Sequence, residues 1–321
     1  LSKSVSRMGW VGSQRFLPGV QGDIELDSGD GGTASIAHGY REEGTLEKWV
    51  AFVSKVREFP IARFTLASAF ATPLLKIVGS RVFIVHNWGP SRGGKTASLK
   101  AALSVWGEPE KIMASFNATK VGLERLAAFY TDLPLGIDER QVMGDKQNFI
   151  ESLVYLLGMG KGKARGSKAG GLQSFSFWRT IALTTGEEPL STESSTAGIK
   201  TRTLELYGSP IPNEKIASEI HRGIAQNYGT AGPAFVTRLL NELKTNPELF
   251  KTDYEAIQME LSNRCQDHIS SHVSAISLVC MADYYASQWI FGMDEDESYS
   301  QAMNLAEQII GKLETSDEVD D

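Results

Sequence analysis

The order of elements along the 321-residue chain predicts an α/β fold with a central, mainly parallel sheet. Three observations carry that reading. Through residue 208, short apolar runs bounded by turn residues alternate with segments of helical period, as parallel strands linked by helices do. From residue 213 the period is helical throughout, which predicts an all-helical C-terminal subdomain over 209–313. Residues 1–43 are rich in Gly, Asp and Ser with scattered aromatics, which predicts short strands and turns in a small N-terminal β-rich segment. The α/β core then occupies 44–208. The closing "ETSDEVDD" (314–321) holds five acids in eight residues and is expected to be a frayed, disordered tail.

Taken in order, Thr45 is placed to cap a helix whose Leu46, Trp49, Val50 and Val53 share one face. A mostly apolar helix is expected over roughly 61–78, with Pro73 kinking or breaking it. "RVFIVH" (81–86) reads as a buried strand, followed by a helix over 94–105 and a strand near 111–116. A helix near 119–130 follows, with Thr119 as its cap. "LPLGID" (133–138) is a short apolar strand ending in acid, and a helix spans about 146–157. "FWRTIALTTG" (177–186) reads as another buried strand and "RTLELYG" (202–208) as a last, alternating one. Beyond it, Asn213 caps and Gly229 stops one helix, "PAFVTRLLNEL" opens on a proline as helices do, and two or three more helices cover 247–313. The sequence holds no internal repeat.

Composition is that of an ordinary globular protein, 41% hydrophobic and 22% charged. A net charge of −7 excludes a uniformly basic nucleic-acid binder, so any such binding must be local. If Cys265 and Cys280 lie on one helix they are about 22 Å apart along it, too far for a disulfide. Reduced thiols and a cytoplasmic setting are therefore expected. No apolar run reaches the ~18 residues of a membrane helix, and the first residues lack a signal-peptide pattern. The start at Leu1, without Met, suggests a segment excised from a longer protein.

Gly89-Pro90-Ser91-Arg92-Gly93-Gly94-Lys95-Thr96 fits the Walker A pattern G-x-x-x-x-G-K-[ST], with Ala97 next in the helix. Its chemistry demands a strand before and a helix after, and both are expected here. Glycines let successive N–H groups turn inward onto phosphate oxygens, and the helix adds its positive end. Lys95 would bridge the β- and γ-phosphates of ATP, and the Thr96 hydroxyl would bind Mg²⁺. The bland alternative is a Gly-rich turn with an incidental lysine.

Some forty residues on, Asp138 and Glu139 close an apolar strand in the manner of a Walker B motif. Asp138 would hold the Mg²⁺ shell and Glu139 would orient or deprotonate the attacking water. Adjacent acids also suit a solvent-facing turn; their pairing with the loop favours the catalytic reading, and the second acid favours hydrolysis over transfer to a small molecule. Thr184 and Thr185 end a strand expected beside these two and are candidates for sensing the γ-phosphate or water. Strand-end hydroxyls facing solvent are the alternative. Glu187 lies just beyond with no assigned role.

From Ser152 to Gly186 there is no Asp or Glu. Within that window Lys161, Lys163, Arg165 and Lys168 form a glycine-rich basic loop suited to DNA phosphates. The alternatives are that Arg165 reaches a nucleotide held by the next subunit, or that the loop is simply solvated. Arg202, beside Lys200, is a candidate arginine finger acting in trans, against the alternative of a surface ion pair; Arg238 is a weaker candidate over the phosphates. Cys265, His268 and His272 are expected to share one helix face at i, i+3 and i+7, but no fourth zinc ligand accompanies them and packing is the preferred reading. His86 and His221 carry no signal.

"RMGW…RFLPG", "GTLEKWV", "FTLASAFATPLLKIVG", "HNWGPSRGGKTASLKAALSVWG", "NATKVGLERLAAFYTDLPLGIDE", "GKGKAR", "TTGEEPL" and "YGTAGPAFV" occur in that order. Over roughly residues 8–290 the chain thereby resembles the bacterial and phage P-loop domain of the domain-of-unknown-function family 927. Its members resemble the ATPase halves of primase–helicases of phages and mobile elements, with AAA-plus-like and helicase-like cores. The resemblance implies ATP, Mg²⁺, a homo-oligomeric ring, and single-stranded or forked DNA as substrate of a replication helicase or translocase. It also implies a primase or DNA-binding region upstream. The alternatives are a protein-remodelling or regulatory ATPase that ignores DNA, and a small-molecule kinase.

Overall fold

The computed structural model describes residues 3–114, 120–138, 153–154, 160, 177–191, 195, 197–265 and 269–317. Four short strands open it: β1 (Lys3–Val5), β2 (Gly9–Val11), β3 (Arg15–Leu17) and β4 (Ile24–Leu26). β1 pairs in parallel with β4, and β2 antiparallel with β3. A helix the composition did not suggest, Gly31–Ala37, follows, its first turn held by the Asp30 side chain accepting from the Thr33 N–H. The segment is tied to the core by Trp10, whose indole donates to the Pro73 carbonyl at 2.8 Å, and by Phe16, which packs on Trp106.

Thr45 caps helix Leu46–Val53 as expected, accepting from the Lys48 N–H, and that helix buries Trp49 and Val53. The long apolar helix is broken where Pro73 stands. Pro60–Ala71, buried along almost its whole length, ends just before it, and Leu74–Val78 follows as a separate short helix until Gly79 turns left-handed at φ +68°.

The central sheet contains β5 (Phe83–Trp88), β6 (Leu135–Ile137), β7 (Ile181–Gly186) and β8 (Thr203–Tyr207). Its order is β6-β7-β5-β8 and every pairing is parallel. β5, β6 and β7 are buried on both faces, which explains their unbroken apolar composition. Helix Lys95–Leu103 follows β5, and helix Lys120–Phe129 precedes β6.

The strand expected near 111–116 does not form in its described part. Pro109 starts a short helix through Ile112, since a proline ring is preset for a first helical turn. Only Ala114 reaches the sheet, donating to the Gly136 carbonyl at 2.9 Å. Thr119 and most of the helix expected over 146–157 lie outside the described residues, of which Leu153 and Val154 are helical.

From Glu214 the described backbone forms helices Glu214–Ile224, Ala231–Thr245, Leu249–Ser262, Val273–Trp289 and Glu295–Asp317. Asn213 caps the first by accepting from the Lys215 and Ile216 N–H groups. That helix ends at Ile224, short of Gly229, whose φ of +75° serves the turn into the next helix. The last helix runs to Asp317, into the stretch expected to be a disordered tail; 318–321 lie outside the described residues. Val273–Trp289 packs along Pro60–Ala71, and Glu295–Asp317 reaches β8, so these helices share one apolar core with the sheet. A buried ion pair, Arg63 to both oxygens of Asp283, joins the two layers.

Cys265 and Cys280 are free thiols but do not share a helix: Cys265 lies past the end of Leu249–Ser262, where Asn263 caps the chain, and Cys280 is in Val273–Trp289. No described helix is long and apolar enough to cross a membrane.

Candidate nucleotide site

Beyond Trp88 the chain leaves β5 in a tight loop that only unusual backbone angles allow. Gly89 has φ +139°, Gly94 +74°, and Arg92, which has a side chain, +65°. Gly94 is confined as well: a Cβ there would come within 2.4 Å of the Ile211 carbonyl. The segment after β8 braces the loop from behind, with the Gly208 N–H on the Trp88 carbonyl (2.9 Å) and the Ile211 N–H on the Gly93 carbonyl (3.0 Å). Lys95 is the first residue of the following helix. Its ammonium donates to the Gly89 and Pro90 carbonyls at 2.7 and 2.8 Å, so the charge lies over the loop itself.

The parallel register carries β6 and β7 to the same edge. Ile137 stands opposite Thr184, which places Asp138 beside Thr185. Asp138 is only 4% exposed, and both of its oxygens are engaged. The Thr96 hydroxyl donates to Oδ2 at 2.9 Å and the Thr185 hydroxyl to Oδ1 at 2.8 Å. One carboxylate thus links the loop helix to the neighbouring strand.

Strand alternation gives the two threonines different partners. Thr184 pairs in register with His86, and its hydroxyl lies 2.8 Å from Nδ1 of that buried ring. His86 Nε2 is 2.9 Å from the Glu188 carbonyl, which can only accept, so Nε2 carries the proton. In the neutral ring Nδ1 therefore accepts from Thr184. His86 thus ties the end of β5 to the segment beyond β7, although nothing in the sequence singled it out beyond its place in an apolar strand. Glu205, the acid in "TLELY", fixes the same segment by accepting from the Leu190 and Ser191 N–H groups.

A cavity of about 620 Å³ opens beside the loop. Ser91, Arg92, Gly93, Gly94, Lys95, Thr96 and Ala97 line it, with Asp138, Thr185 and Glu187 across from them. Glu187 accepts a hydrogen bond from Ser91. Its far side is helix Glu214–Ile224, including His221, which sequence reasoning also passed over. Burial and the nearby Lys100 charge push the His221 pKa below its ordinary value.

Other sequence candidates fall elsewhere. Arg202 precedes β8, at the amino end of the sheet; its guanidinium donates to the Gly198 carbonyl at 2.9 Å. With Ile84 bonded to the Arg202 carbonyl, five strand residues, about 16 Å, separate it from the loop of its own chain. Arg238 is exposed and does not line the cavity. Glu139 and the basic residues Lys161, Lys163, Arg165 and Lys168 lie outside the described residues. So does His268. Cys265 and His272 do not share a helix, and the His272 ring bonds the Lys200 and Thr203 carbonyls. Among the described residues no group of His, Cys, Asp and Glu is arranged to hold a metal by itself.

Residues 1–176, more than half of the chain, match the family described as "Domain of unknown function (DUF927)", and the chain belongs to that family. The match stops before β7. Among solved structures the chain is similar to the active helicase Cch of SCCmec type IV, with a TM-score of 0.66 and 18% identity over 90% of this chain and 54% of that one. It therefore spans about half the length of that helicase, and the likeness is one of fold. A JCV helicase crystal structure containing a thiazolopyridine-based acetamide aligns with 14% identity over 74% of this chain and 72% of its own, at a TM-score of 0.30, too low to bear on the fold. No curated protein sequence matches the chain.

Proposed function

We propose that the chain is a P-loop, AAA-plus-like ATPase module of a DNA helicase or translocase, acting as a homo-oligomeric ring in the replication of a phage or mobile element. The observation that carries this reading is the Asp138 carboxylate, shared between the hydroxyl of Thr96 and that of Thr185 at the mouth of a cavity beside Lys95. A strand-end acid that merely faced solvent would be neither buried nor held by two hydroxyls from different elements.

The donor set suits Mg²⁺, a hard cation that takes hydroxyl and carboxylate oxygens. Thr96 and Asp138 would hold it, and when bound it offsets negative charge on the β- and γ-phosphate oxygens. The chain's own part begins with the loop, whose N–H groups and helix end receive the phosphates. Lys95 leaves the Gly89 and Pro90 carbonyls to place its charge between the β- and γ-phosphates. Thr185, kept in place by Asp138, directs its oxygen toward the end of the triphosphate. Glu139, next after Asp138, orients the attacking water and takes its proton. Thr184, whose proton is committed to His86, accepts rather than donates. Arg202 serves the nucleotide of the next subunit, since it lies far from its own. The basic loop holding Lys161, Lys163, Arg165 and Lys168 takes the DNA strand.

The test is ATP turnover against a single-stranded DNA titration, with solution mass measured in parallel. Turnover that rises with DNA, loses the rise at high salt and accompanies an oligomer is the expected result. Turnover indifferent to DNA and stimulated by a polypeptide would assign the module to protein remodelling instead.

A further inference from the structure

The residues that line the cavity fall into two sets that differ in chemistry. The set at the loop end is charged. The other lies between two helices, Lys95–Leu103 on one side and Glu214–Ile224 on the other, which pack against each other. Glu214, Ala217, Ser218 and His221 recur at i, i+3, i+4 and i+7, so one face of their helix looks into the cavity. Ala97 and Lys100 face them, Lys100 one turn beyond Thr96.

We propose that the nucleoside of the bound triphosphate occupies this inter-helix slot, its base between Ala97 and Ala217, its polar edge read by Ser218 and His221, and its ribose hydroxyls received by Glu214. The inference rests on the phosphate-loop reading above and adds which residues discriminate among nucleotides. The lining here includes two small methyl side chains, those of Ala97 and Ala217, on which a flat ring can lie. Among the described residues no group hydrogen-bonds the His221 ring or the Ser218 hydroxyl. The two ionisable groups that act on His221 are Lys100, which opposes its protonation, and Glu110, which favours it. Burial is the largest influence and also opposes charge. At neutral pH the ring therefore offers one N–H and one bare nitrogen, the complement of a base edge.

A second phosphate group is the wrong guest for this end. Lys100, which lines this end, is already paired with Glu110, and Glu214 adds negative charge. At about 620 Å³ the cavity lies within the range of small-molecule sites, about 300–1,000 Å³, and so has room for a whole nucleotide.

The experiment compares binding of ATP with binding of inorganic tripolyphosphate, both with Mg²⁺, to the native chain and to three variants. Ala217→Phe is expected to weaken ATP at least about tenfold by filling the slot, while tripolyphosphate stays within about twofold. His221→Ala and Ser218→Ala are expected to change the ranking of ATP, GTP, CTP and UTP by about fivefold, again without moving tripolyphosphate. Parallel losses of ATP and tripolyphosphate, or no loss in any variant, would overturn the slot while leaving the phosphate site standing. If the native chain bound neither probe, the P-loop reading itself would fall, and the slot with it.

Discussion

At the carboxyl ends of β5, β6 and β7, polar side chains meet beside open space; at the amino ends of the same sheet they close on themselves. The first edge brings together Lys95, Thr96, Asp138 and Thr185 around the cavity. At the second, Asp132 is fully buried and accepts from Arg179 Nε at 2.8 Å and from the Trp10 N–H at 3.0 Å. Nearby, Thr180 donates to the Leu133 carbonyl, Arg202 to the Gly198 carbonyl, and His272 bonds the Lys200 carbonyl. Both edges carry charge in contact with buried backbone, so charge alone does not mark the site. What separates them is strand direction. In a parallel sheet all carboxyl ends fall on one side, and the loops leaving them can converge on a ligand. The amino ends receive connections whose polar groups must be satisfied within the protein.

Substitutions at the two edges should therefore fail differently. The largest effect on turnover is expected from Asp138→Asn, which removes the charge that holds both hydroxyls: a loss of about 100-fold or more in ATP hydrolysis, with the melting temperature nearly unchanged. Steady-state kinetics with a thermal melt check it. Thr185→Val removes one hydroxyl and keeps the shape, so a loss of about tenfold is expected, carried by kcat rather than KM. At the other edge, Arg179→Met leaves the Asp132 carboxylate buried without its cation. Denaturant unfolding should show about 3 kcal/mol of lost stability, with turnover per folded molecule within about twofold of native. A tenfold fall in the turnover of folded Arg179→Met would break the contrast between the edges.

How much of this was legible in the residues follows the same division. The glycine, lysine and hydroxyl spacing made a tight loop near Asp138 an expectation, and the structure brings Thr96 and Asp138 into contact. The place of β7 beside the other two strands was readable from its apolar run. The division of labour between Thr184 and Thr185 was not. Alternation says that neighbours face opposite ways, but only the register with β6 says which of them meets Asp138. His86 and His221 carried no signal because a lone histidine has no spacing to mark it. The shared helix assumed for Cys265 and His272 failed where Asn263 ends one helix and a second begins at Val273. Pro109 likewise turned an expected strand into a short helix.

The central claim is that the loop after β5 receives a triphosphate. Calorimetric titration of a non-hydrolysable ATP analogue with Mg²⁺ into the native chain and into Lys95→Ala tests it most directly. The account predicts saturable binding to the native chain and affinity at least about 100-fold weaker without the lysine charge, a difference of about 2.7 kcal/mol. Equal affinity in the two proteins, or a native chain that takes up no nucleotide, would contradict it.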